Sequence, residues 1–184
     1  MILTDREIKN SLASGLIDIS PRPEADAYDS TSVDLTLDAN IREFNETNTG
    51  LSVAIDPGSP GFKARDLLSN ITSSKLLYED QYKLIPKKLI LAWTRERVHL
   101  KSLGRVAARV EGKSSLARMG LAIHVTAPTI HSGFEGTIQL EIINHGPLPI
   151  ILRPGMHICQ LILGATTGMP DKAYKGQFLG QGTT

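Results

Sequence analysis

Cysteine is almost missing from this chain. The one present, Cys159, sits in the apolar run His157-Ile158-Cys159-Gln160-Leu161-Ile162-Leu163. A lone thiol excludes an internal disulfide, so a reducing, cytoplasmic setting is the expectation. An excess of charge is missing too: 20 basic residues against 19 acidic ones leave a net charge of +1. That excludes a general pull toward a nucleic-acid backbone or an anionic membrane, and neither partner is expected. A few local cations could still hold a small anion. No apolar run is long enough to cross a bilayer. The opening Met1-Ile2-Leu3-Thr4-Asp5-Arg6-Glu7 lacks the basic-then-apolar plan of a signal peptide. There is no P-loop, no dinucleotide-binding fingerprint and no Ser-His-Asp order.

What is present points to one domain over residues 1–184, rich in strands. Thr4 stands three residues before Glu7, the capping-box spacing, and Ile8 and Leu12 follow at helical intervals with Gly15 as a stop. A short helix is predicted over residues 5–14, within an N-terminal segment 1–20. Val33, Leu35 and Leu37 then alternate with Asp34, Thr36 and Asp38, the pattern of a half-buried strand. Residues 45–75 hold many Asn, Gly, Pro and Ser and read as long surface loops with short strands. Further strands are predicted at 89–94, 106–110, 121–125, 137–144, 150–152 and 158–163, separated by turn residues. Short strands with frequent turns indicate an all-β barrel or sandwich. Trp93, inside an apolar run, reads as core. The tail from 164 to 184 is rich in Gly, Thr and Gln and is expected to stay flexible until something orders it.

Three segments could carry chemistry. In Glu111-Gly112-Lys113-Ser114-Ser115-Leu116-Ala117-Arg118-Met119-Gly120 a helix is predicted to start at Ser114 or Ser115. Helix starts expose unpaired N–H groups, and Lys113 and Arg118 add cations, so the segment suits a phosphate. The same features suit a capped surface turn, and both readings stand. In Thr137-Ile138-Gln139-Leu140-Glu141-Ile142-Ile143-Asn144, period-two geometry puts Gln139, Glu141 and Ile143 on one face. If that face borders a cleft, burial raises the Glu141 pKa and makes it a proton carrier near neutral pH. An ordinary solvated strand face is the alternative. In the stretch Ile123 to Gly136, His124 and His131 invite a metal, but the zinc deaminases use His-x-Glu with a later Pro-Cys-x-x-Cys. This chain has neither, and no catalytic metal is expected. His99, His145 and His157 are scattered and read as surface or packing residues.

These segments, in this order, resemble the dCTP deaminase branch of the dUTPase-like superfamily. The likeness runs through Met1 to Ile8, Ser32-Val33-Asp34-Leu35-Thr36-Leu37 and Val110 to Leu121. It is strongest in Gly133-Phe134-Glu135-Gly136-Thr137-Ile138-Gln139-Leu140-Glu141, and continues through Asn144, Gly146-Pro147-Leu148-Pro149 and Pro154-Gly155-Met156. The resemblance implies a distorted β-barrel or jelly-roll-like subunit, a homotrimer with sites between subunits, and hydrolysis of dCTP to dUTP and ammonia. Mg²⁺ would accompany the triphosphate. By position, Glu141 would be the general acid/base, Ser114 and the Ala127 carbonyl would hold the attacking water, and Arg118 would reach a neighbouring subunit's nucleotide. Lys113, Ser114 and Ser115 match the phosphate segment; Gln139 and Gln160 match nucleotide-contacting positions. Tyr174 and Gln177, in Tyr174-Lys175-Gly176-Gln177, match a segment that closes over the nucleotide, although Ala173 replaces the usual Lys and Gln181 offers a second register. His131 stands where many members have Asp, the residue that in dUTPases activates water against the phosphate chain. This counts against a bifunctional enzyme forming dUMP, while leaving His131 able to contact the sugar. Inhibition by dTTP, a modified cytosine as substrate, and a nucleotide-binding module without turnover are left open by the residues.

Overall fold

The computed structural model describes residues 1–45, 54–77, 81–102, 104–172 and 174. Helix α1 (Asp5–Ala13) forms where the capping spacing predicts it. The Thr4 backbone N–H donates to Glu7 Oε2 at 2.8 Å, and Ile8 and Leu12 turn into the core. Gly15 takes a positive φ just past the end. The remaining chain runs β1 (Ile17–Ser20), β2 (Tyr28–Asp29), β3 (Ser32–Phe44), α2 (Ala64–Ile71), β4 (Thr72–Leu76), β5 (Tyr82–Leu84) and β6 (Leu89–Leu100). It continues through β7 (Val106–Gly112), α3 (Ser114–Ala117), β8 (Leu121–Ala122), β9 (Glu135–Asn144), β10 (Ile150–Leu152) and β11 (His157–Ala165).

Among the described residues, nine strands make one mainly antiparallel sheet with the order β7-β11-β3-β6-β9-β8; β1 pairs with β6, and β2 and β4 pair with β3. The sheet curls toward closure. Ile130, from the connection between β8 and β9, exchanges backbone hydrogen bonds of 2.9 and 2.7 Å with Ala108 on β7. The architecture is a distorted barrel, one of the two forms the strand pattern allows and the one the resemblance implies. Val33, Leu35, Leu37, Ile41, Ile90, Ala92, Leu140, Ile142, Leu161 and Leu163 fill its interior. Between Trp93 and Arg97 the β6–β9 register shifts. The Thr94 hydroxyl fills the gap, accepting from Ile138 N–H at 2.9 Å and donating to the Glu96 carbonyl at 2.8 Å.

Three expectations need correction. The span 45–75 holds a helix, α2, as well as β4. Leu67, Leu68 and Ile71 give α2 an apolar side, but none of its residues is buried, so two turns of weak signal are lost among Gly, Pro and Asn. Strand β3 runs on to Phe44 and is not simply half buried, since Asp34 is only 7% exposed. Lys113, His157 and Gln160 close over Asp34 on the side away from the core. The strand predicted at 121–125 stops at Ala122, where the chain leaves the edge of β9.

Candidate active site

Period-two alternation in β9 works as the sequence implies. Ile138, Leu140 and Ile142 are buried inward, and Gln139, Glu141 and Ile143 share the opposite, partly covered face. The register extends this face across three strands. Glu141 lies opposite Leu91 of β6, which lies opposite Arg42 of β3; Gln139 lies opposite Trp93. Leu91 and Trp93 are 5% and 6% exposed, so the surface beside Glu141 is dry. Burial pushes the Glu141 carboxyl above the ordinary carboxylate range, against the opposing pull of the Val125 backbone N–H and of His124. Its Oε2 is fully buried and accepts no hydrogen bond. The other buried polar side-chain atoms left unpaired among the described residues are Arg42 Nε, Trp93 Nε1 and His124 Nδ1. The sheet register places Arg42 and Trp93 on the face of Glu141, and His124 acts on its charge. Buried polar atoms are normally satisfied. A cluster of exceptions on one face marks a surface built to receive something.

The cation-and-hydroxyl segment is carried by the turn from β7 to β8. Gly112 ends β7, Lys113 precedes the helix, and α3 spans Ser114–Ala117. Four residues are about one helical turn, too short for a large end dipole. Hydroxyls and cations, not the helix axis, must do most of any anion binding here. Ser114, Ser115 and Arg118 are exposed. Gly120 closes the turn at φ 92°, packed so tightly on the Gly146 backbone that a Cβ there would strike Gly146 N and Cα. The docking ties α3 to the end of β9. The turn itself is locked by buried Asn144, whose amide donates to the carbonyls of Leu84 and Leu148 at 3.0 and 2.8 Å. Its Oδ1 accepts from Gly146 N–H at 2.9 Å.

Lys113 and Gln160, far apart in sequence, meet at one carboxylate. Asp34 is paired with Lys113 Nζ, has His157 Nδ1 at 3.2 Å, and accepts from Gln160 Nε2 at 3.2 Å. Sequence reading did not single out Asp34 as a site residue or foresee a role for His157. Alternation marks Asp34 only as the outward residue of a strand, and nothing local says that two donors will converge on it. Arg42 escaped notice for the same reason, and in the sequence Trp93 reads only as a core residue.

His131 is exposed, and its ring lies 5.6 Å from that of Tyr174, which in turn lies 6.4 Å from Phe134. His131 and Tyr174, with Ser132, Thr166 and Met169, border an open cavity of about 420 Å³. Ser132 pins the loop by donating toward the Gly104 and Val106 carbonyls at 2.9 and 2.6 Å. Ala127 is exposed in the segment after β8. Gln177 lies outside the described residues. The structure thus groups Gln139 with Glu141, Lys113 with Gln160, and His131 with Tyr174. Among the described residues, no hydrogen bond within the chain joins Ser114, Ser115 or Arg118 to Glu141. No group of three or more His, Cys, Asp and Glu side chains is placed to hold a metal ion among the described residues, and no helix there is long and apolar enough to cross a membrane.

Comparison with known proteins gives a consistent picture. Residues 2–166 match the family model described as dCTP deaminase-like. The chain is 38% identical over 174 residues to a dCTP deaminase of Rhodospirillum rubrum, covering 95% of this chain and 87% of that one. It is 36% identical over 173 residues to a dUMP-forming dCTP deaminase of Methanosphaera stadtmanae, covering 94% and 83%. Its fold is similar to the crystal structure of 2'-deoxycytidine 5'-triphosphate deaminase from Agrobacterium tumefaciens, with a TM-score of 0.66 and 22% identity. That alignment covers 88% of this chain and 47% of the other, so this chain spans about half its length.

Proposed function

The chain belongs to the dCTP deaminase-like family, and on that footing we propose that it hydrolyses dCTP to dUTP and ammonia with Glu141 as the proton carrier. The observation that carries the assignment is the Glu141 carboxylate itself: half buried on a strand face, raised in pKa by desolvation, with one oxygen unpaired. A carboxylate in that state can take a proton from water at neutral pH and give it back. Water attacks C4 of the cytosine, and its proton passes to Glu141 as the C4–O bond forms. Glu141 delivers that proton to N3. The remaining hydroxyl proton then moves by way of Glu141 to the exocyclic amine, the C4–N bond breaks, and ammonia leaves. Ser114 and the Ala127 carbonyl orient the water, which matters because a water used as it stands must be pre-positioned.

The triphosphate is assigned to Lys113, Ser114 and Ser115, with Gln160 beside them and Arg118 reaching the nucleotide of a neighbouring subunit. Gln139 sits one strand step from Glu141 and is assigned to the nucleotide. His131 and Tyr174, ring against ring at 5.6 Å, border the cavity that takes the sugar end, and Gln177 belongs to the closing tail. Mg²⁺ travels with the triphosphate as part of the substrate. The assembly is a homotrimer of single-domain subunits working in the cytoplasm, where the buried free thiol of Cys159 faces no oxidant. The product is dUTP, because the position that would activate water against the phosphates holds His131, engaged with Tyr174.

The test is incubation with dCTP and Mg²⁺, following ammonia and separating nucleotides by chromatography. Glu141→Gln is expected to fold and bind dCTP while ammonia release falls by about 10²-fold or more. Near-normal turnover in that variant removes Glu141 from the mechanism, and dUMP as the main product overturns the assignment of His131.

A further inference from the structure

Trp93 is buried to 6% exposure, yet its indole Nε1 has no hydrogen-bond partner. An indole N–H can only donate, and leaving a buried donor unmet is costly. Across the β6–β9 ladder Trp93 faces Gln139, and Gln139 and Glu141 are successive residues on one face. Trp93 is therefore a diagonal neighbour of Glu141, a separation long side chains span. Glu141 Oε2 is the complementary group, a buried acceptor without a donor. One small molecule that both donates and accepts would satisfy the two, and the Gln139 carboxamide completes the two to four polar partners that a buried water requires.

We propose that Trp93 is a positioning residue for Glu141: its indole N–H, through one bridging water shared with Gln139, holds the carboxylate in the orientation the reaction uses. The inference rests on Glu141 being the acid/base. Donation through the bridge favours the charged carboxylate and opposes the burial that raises its pKa. The charged and titratable groups facing Glu141 from neighbouring elements are His124, after β8, and Arg42, two strands away on β3. Arg95, the next residue on this side of β6, is exposed and lies within the register shift.

Trp93 is the chain's sole tryptophan, so its emission reports this contact directly. Trp93→Phe keeps an aromatic ring and deletes the donor. It is expected to lower kcat about tenfold with little change in KM, through misorientation of the carboxylate. The acid limb of the kcat/KM profile should move up by about half a pH unit as the donor to the charged form is lost. In the unaltered protein, tryptophan emission should titrate with the midpoint of that limb, persist in His124→Asn and vanish in Glu141→Gln. An acid limb left in place by Trp93→Phe, or an emission that ignores Glu141→Gln, overturns the proposal. If Trp93→Phe does not fold, the emission titration decides alone. Failure of the unaltered protein to release ammonia would fault the proposed function instead, and the titration would still tell whether Trp93 holds Glu141.

Discussion

Burial raises the pKa of Glu141, so the folded chain retains a proton there that the unfolded chain gives up. Such a group favours folding least above its raised pKa; its contribution falls as pH climbs from the unfolded value, about 4.3, through the folded one. Glu141→Gln removes the penalty. Its thermal midpoint is expected to exceed that of the unaltered protein at pH 7 to 8, with the gap closing toward pH 4. A variant equally or less stable across that range would show that the carboxylate is not desolvated. Asp34, unlike Glu141 Oε2, is fully partnered. It is buried, and it is met by Lys113, His157 and Gln160. Asp34→Ala leaves those donors unmatched and is expected to cost about 3 kcal/mol in chemical denaturation, within the range for breaking a buried pair. It also frees Lys113, whose charge β3 otherwise holds in place.

At the level of elements, the site depends on the docking of the α3 turn against the end of β9. Gly120 makes that possible twice over, through its positive φ and its close approach to Gly146. Gly120→Ala adds strain at φ 92° and a clash against backbone that cannot swing away. A loss of about 3 kcal/mol is expected from the two effects together. Because α3 would shift, KM for dCTP should rise with it; an unchanged KM would separate this turn from the nucleotide. The β3–β6–β9 trio is the other element that matters. Its core side is continuous aliphatic packing, while its outer side carries Gln139 beside Arg42, Trp93 and Glu141, each of the last three with a buried polar atom left unpaired among the described residues.

For the whole molecule, the separation of two parts of the mechanism is the main consequence. In the proposed homotrimer, the exposed Arg118 of one subunit serves the nucleotide held by the Glu141 of its neighbour. A chain defective only at Glu141 and a chain defective only at Arg118 are then complementary. Co-expressed Glu141→Gln and Arg118→Ala chains are expected to form hybrid trimers that release ammonia well above the residual rate of either variant alone. Light scattering should give three chains per particle. Hybrids that form and stay silent would place both groups in one subunit's site.

Helix α1, most strands of the barrel and the pairing of Gln139 with Glu141 were legible in the amino-acid order, because each follows from a local rule: a capping pair, a period of two, a glycine where the chain must turn. The segment from Lys113 to Gly120 was legible as a turn with cations and hydroxyls. Sequence alone could not show that Asp34 draws Lys113 and Gln160 together, since those residues are 79 and 126 positions from it. Nor could it show that Trp93 and Arg42 flank Glu141 with unmet polar atoms. Those facts belong to strand register, and register is decided by how the whole sheet packs. Desolvation of Glu141 is likewise a property of its covering and not of its neighbours in sequence. The chain order therefore put Glu141 on one strand face with Gln139, and the tertiary structure decided that this carboxylate lies where water is scarce enough for its pKa to rise.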